Sequence, residues 1–150
     1  MSKSSLQGLV GEYGGRLVEI QAQEAEAMVQ VPAGVEEGAV WRAIPEPDSA
    51  DMAAEFDGCM INVRGEGWKE VKTVAIAAID RQAGADGEAE ISLQRISYRA
   101  GLWDAASFAN QQWAEGCRRG LEKAKRVVCV SDGAPWIWAI VAMCYTPRCV

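Results

Sequence analysis

The chain has 150 residues, 49% hydrophobic and 24% charged, with a formal net charge of −6. That is enough apolar material for one domain with a core, and it argues against wholesale disorder. There is no histidine, and none of the five cysteines forms a C-x-x-C pair, which argues against Ser-His or Cys-His catalysis, a disulfide framework and a usual zinc site. The longest mainly apolar runs, residues 74–79 and 136–143, are too short to span a bilayer. The first residues lack the apolar core of a signal peptide, so a cytoplasmic protein with no membrane partner is expected. The charge is unevenly placed. Residues 1–56 hold three basic and ten acidic residues, a net of −7; residues 57–150 hold twelve and eleven, a net of +1. A basic cluster stands at Arg118, Arg119, Lys123, Lys125 and Arg126. It suits a solvated helix end, where cations favour the dipole, or a contact with phosphate.

Residues 1–15 are rich in serine and glycine and read as a poorly ordered lead-in. Residues 17–30 are rich in helix formers, with Leu17, Ile20, Glu24 and Ala27 or Met28 at helical spacing. Pro32 and Gly34 stop that helix. Residues 39–51, with Pro45 and Pro47, read as a linker. The expected organisation is therefore an N-terminal helical segment and linker over 1–51, then a domain over 52–150.

Residues 55–64 alternate with strand period, placing Asp57, Cys59, Ile61 and Val63 on one face. Gly65 and Gly67 supply turn chemistry. Residues 68–79 predict a second strand, alternating charged and apolar at first, then apolar throughout, as in a central strand buried on both faces. Residues 82–87 read as a loop and 90–98 as a third strand. Asp104 is a plausible N-cap for a helix to about Lys123, with Leu102, Ala106, Ala109, Trp113, Cys117 and Leu121 as its apolar stripe. Residues 126–131 form a short β-branched strand without the polar alternation of an edge. Pro135 suits the first turn of a last helix, ended by Pro147. Cys59, Cys129, Trp113, Trp136 and Trp138 are expected in the core. The charged, aromatic start of the second strand, Trp68, Lys69, Glu70 and Lys72, is explained by cross-strand pairing, with contact to nucleic acid as the alternative.

The order is β-β-β-α-β-α. A fourth strand lying parallel beside the first would bring Asp57 and Asp132 together. Paired carboxylates hold hard divalent cations such as Mg²⁺, and two such ions serve phosphodiester chemistry. Gly58 and Gly133, after each aspartate, allow close approach. Asp-Gly is also a common turn dipeptide, so each aspartate taken alone reads first as a turn or cap residue.

Asp57-Gly58, the Gly-Trp-Lys-Glu-Val-Lys run within residues 64–72, and the later Ser131-Asp132-Gly133-Ala134-Pro135-Trp136-Ile137-Trp138 carry a resemblance. The chain resembles DDE transposases of bacterial insertion sequences, in particular the ISKra-type group, over about residues 52–150. The resemblance implies an RNase H-like core with a mixed sheet, with Asp57 and Asp132 as catalytic, metal-binding residues. It implies Mg²⁺ or Mn²⁺ as cofactor and DNA, at transposon ends and target, as partner. It also implies a third catalytic acid that no residue here matches; neither Glu70 nor Glu122 occupies its position. The expectation is thus a C-terminally truncated transposase with an incomplete core and doubtful activity, or a non-catalytic module derived from one. An unpaired sheet edge in such a core would favour self-association.

Overall fold

The computed structural model describes residues 3–30, 43–84 and 87–145. It is an α/β fold with three helices and one four-stranded mixed sheet. In chain order the elements are α1 (Lys3–Val29), β1 (Asp51–Val63), β2 (Gly67–Ala83), β3 (Ala89–Gly101), α2 (Ala105–Arg118), a 3₁₀ turn (Leu121–Lys123), β4 (Arg126–Ser131) and α3 (Pro135–Tyr145). The sheet order is β3-β2-β1-β4. The first three strands form an antiparallel meander, and β4 returns parallel to β1.

Side-chain alternation decides which face is buried. Met52, Ala54 and Phe56 of β1 share a face with Val74, Ile76 and Ala78 of β2 and Val127 of β4. That face packs against Phe108 of α2, Leu121, and Ile137, Ile140, Val141 and Tyr145 of α3. Phe108 meets Trp136 edge-on, ring centres 5.6 Å apart. The intervening residues Glu55, Asp57 and Cys59 are exposed. The central strand behaves as its sequence predicts: Ile76, Ala77, Ala78 and Ile79 are consecutive and all buried.

Helix α1 docks through its C-terminal half. Ala25 is buried, and Arg99 of β3 donates to the carbonyl of Gln21 at 3.0 Å. Arg99 is itself buried and bonds Gln111 and Glu115 of α2, while Arg118 also pairs with Glu115. This ionic knot ties β3, α2 and α1 together.

Several expectations are corrected. The lead-in is helical from Lys3, because each glycine lowers helix stability by about 1 kcal/mol without forbidding the helix. Helix α2 ends at Arg118, because Gly120 turns into the left-handed region at φ 70°. Leu102 precedes α2 and is exposed, as is Ala106; Ala109, Cys117 and Leu121 of the expected stripe are buried, and Phe108, Gln112 and Glu115 are buried with them. Strand β4 lies at the sheet edge, against the expectation of an interior strand. Cys59 and Trp138 are exposed rather than core, since each falls on the outward phase of its element. Strands β2 and β3 extend beyond 79 and 98, to Ala83 and Gly101. Pro32, Gly34, residues 39–42 of the linker and the stop at Pro147 lie outside the described residues. Among the described residues no helix is long and apolar enough to cross a membrane.

Candidate functional site

The parallel pairing of β1 with β4 runs from Asp51–Arg126 to Phe56–Ser131. Asp57 and Asp132 are the next residue along on each side, so the register brings the two predicted aspartates level with each other, Asp57 in the middle of β1 and Asp132 just past the end of β4. Neighbouring strands lie about 5 Å apart. Both side chains are exposed. Asp57 Oδ1 accepts from the Gly58 N–H at 2.8 Å, and Asp132 Oδ1 accepts from the Ala134 N–H at 3.1 Å. The Asp132 turn is tightened by Ser131, whose hydroxyl accepts from the Gly133 N–H at 3.1 Å. Gly133 has φ 91°, which suits glycine in particular.

As a donor set, two exposed carboxylates on neighbouring strands, one in the middle of β1 and one just past the end of β4, suit a hard divalent cation, which takes oxygen ligands and keeps waters for a phosphate to displace. Each keeps one carboxylate oxygen outside its hydrogen bond to the backbone. Among the described residues no group of three or more His, Cys, Asp or Glu side chains is gathered as a metal cluster.

Beneath Gly58, on the helix-covered face, stands a charged group that the sequence reading set aside as ordinary pairing. Lys72 is directly across from Gly58 in the β1–β2 register, in phase with Val74 and Ile76, and is buried. Its ammonium pairs with Glu70 and lies 5.0 Å from the centre of the Trp136 ring. Trp136 is the second residue of α3. The signal was available: alternation from Val74 back to Lys72 puts a lysine on the core face. Asp104 caps α2 by accepting from the Ser107 N–H at 2.7 Å, as its sequence predicts. That hydrogen bond holds its carboxyl below the ordinary carboxylate range, with Lys72 adding a smaller favourable charge.

The basic cluster is elsewhere. Arg126 opens β4, so it lies six residues along that strand, about 20 Å, from Asp132. Its members are largely matched by acids. Arg126 makes two bonds to Asp51, one of 2.9 Å; Arg119 bonds Asp48 at 2.6 Å; Lys123 bonds Glu46 at 2.7 Å; Arg118 pairs with Glu115. Hydrogen bonds from Arg95 and Arg119 hold Asp48 below the ordinary carboxylate range, and the Arg126 guanidinium does the same for Asp51. Charge matching within the fold is the role these contacts support.

No protein-family model, no curated protein and no solved structure was found to match this chain.

Proposed function

We propose that this chain is an RNase H-like catalytic core of the DDE-transposase kind, with Asp57 and Asp132 holding Mg²⁺ or Mn²⁺ for phosphodiester cleavage and strand transfer on DNA. The observation that carries the reading is the parallel β1–β4 pair, whose register leads to both aspartates at once. The sheet order β3-β2-β1-β4 and the β-β-β-α-β-α succession agree with it. When bound, such ions supply charge stabilisation to the reacting phosphate oxygens. The chain's own part is to hold and orient. The Gly58 and Ala134 N–H groups fix one oxygen of each carboxylate, which sets the direction of the other. Gly133, beside Asp132, has open space where a β-carbon would stand, which leaves room for a sugar-phosphate backbone to approach.

A second reading is a non-catalytic DNA-binding or interaction module of transposase origin. It is favoured by one observation: no third acid joins the pair among the described residues.

The test is Mn²⁺ titration followed by electron paramagnetic resonance, on the wild type, Asp57→Asn and Asp132→Asn. One site, lost in each variant, is the expected result; undiminished binding in both variants sinks the metal assignment. Metal-dependent nicking of duplex DNA by the wild type then separates the enzyme from the module.

A further inference from the structure

We propose that Glu70, Lys72 and Trp136 form a brace that sets the position of Asp132 relative to Asp57, making Lys72 a positioning residue for the metal pair. The inference rests on the metal-site reading above. Its basis is a continuous path of contacts beneath the two aspartates. At one end is Gly58, the residue after Asp57. A β-carbon there would lie 2.5 Å from Oε1 of Glu70, so the Glu70 carboxylate occupies the space that a side chain at 58 would fill. Glu70 pairs with Lys72. Lys72 is only 7% exposed, and a buried ammonium is costly to desolvate unless it is partnered. Its second partner is the Trp136 ring, 5.0 Å away. A cation over an indole face is attracted most strongly where water is excluded. Trp136 follows Asp132 by four residues, across a turn closed by the Ala134 N–H on Asp132 and by the Ile137 N–H on the Ala134 carbonyl at 3.0 Å. It is also wedged against Phe108.

The lysine therefore couples β1 and β2 to the first turn of α3. Strand β4 ends at Ser131, so Asp132 itself has no strand partner to hold it in register with Asp57. The brace supplies that restraint from below. It explains why a charged residue stands at a core-facing position of β2 beside the candidate site. It also gives Gly58 a role separate from turn chemistry, because any side chain there displaces the tip of Glu70.

The experiment measures Mn²⁺ affinity by electron paramagnetic resonance beside thermal melts, for the wild type, Lys72→Met, Lys72→Arg, Gly58→Ala and Asp57→Asn. Methionine keeps the length and apolar stem of Lys72, and Glu70 is exposed enough to turn into water. Lys72→Met is expected to weaken Mn²⁺ about tenfold or more, the size of effect seen when supporting partners of metal ligands are removed. Lys72→Arg restores part of the loss, because a guanidinium also stacks on an indole. Gly58→Ala weakens affinity in the same direction and carries the test if Lys72→Met does not fold. Unchanged Mn²⁺ affinity in the folded Lys72 and Gly58 variants, with binding still dependent on Asp57, overturns the brace and leaves the metal site standing. A wild type that binds no Mn²⁺ overturns both. A lower melting temperature without an affinity change makes the pair purely structural and likewise overturns the proposal.

Discussion

Glu115 shows how a polar residue becomes part of a core. Its side chain is 2% exposed, and it faces Arg99, which is 3% exposed. Burial alone pushes its carboxyl pKa up, but hydrogen bonds from Arg118, Ser97 and Arg99 outweigh that and hold it below the ordinary value. Truncation leaves the Arg99 guanidinium buried and short of a partner. Glu115→Ala is expected to cost about 3 kcal/mol or more, read from urea unfolding; a change near zero would mean that water replaces the carboxylate. The pH dependence follows from the sign of the shift. A depressed folded pKa stabilises the native state above the unfolded value of about 4.3, and that contribution disappears as pH falls through the folded value. Acid titration of the melting temperature should therefore fall less steeply in Glu115→Gln than in the wild type. Neither Glu115 nor its buried neighbour Gln112 was legible in the sequence. Both occur in a helix whose apolar stripe was read from Ala109, Trp113 and Cys117, and a polar residue signals burial only when its partner is known. For Gln112 that partner is the hydroxyl of Tyr145 in α3, which donates to its side-chain carbonyl.

At the scale of elements, the end of α2 and the segment before β1 depend on each other. Gly120 turns the chain at φ 70°. A β-carbon there would meet the Pro45 carbonyl at 2.5 Å and the Pro47 nitrogen at 2.8 Å. The obstructing atoms are backbone, so neither the turn nor the segment can yield cheaply. Gly120→Ala is expected to destabilise by more than about 1 kcal/mol, seen as a lower urea midpoint with unchanged slope; a neutral effect would show that the crossing relaxes. The stretch read as a linker is thus bound to the fold. Asp48 links Arg95 of β3 to Arg119, and the Ser49 hydroxyl donates to the Ile79 carbonyl at 3.0 Å. Proline content announced the lack of regular structure there, yet not its attachment, because attachment lies in residues far along the chain.

At the scale of the whole molecule, charge separates along β4. The aspartates lie level with its C-terminal end, and the basic cluster lies around its start. Glu46, Asp48 and Asp51, from the acidic N-terminal third, neutralise Lys123, Arg119 and Arg126. The cluster therefore serves as internal pairing, and an exposed pair of this kind contributes little to stability. Lys123→Ala should leave the affinity for duplex DNA unchanged, measured by fluorescence anisotropy at low salt. A clear loss would return the cluster to phosphate contact and put a nucleic-acid surface far from the aspartates.

The succession of strands and helices, the Asp104 cap, the Gly65–Gly67 turn and the start of α3 at Pro135 were all readable from local pattern. Period, capping and turn chemistry act over a few residues, so a short window contains their whole cause. The edge position of β4, the burial of Lys72 against Trp136 and the pairing of Asp48 with Arg119, 71 residues apart, were decided only in the tertiary structure. Each depends on which distant segment arrives beside it, and a charged residue looks the same in sequence whether it meets water or a buried partner.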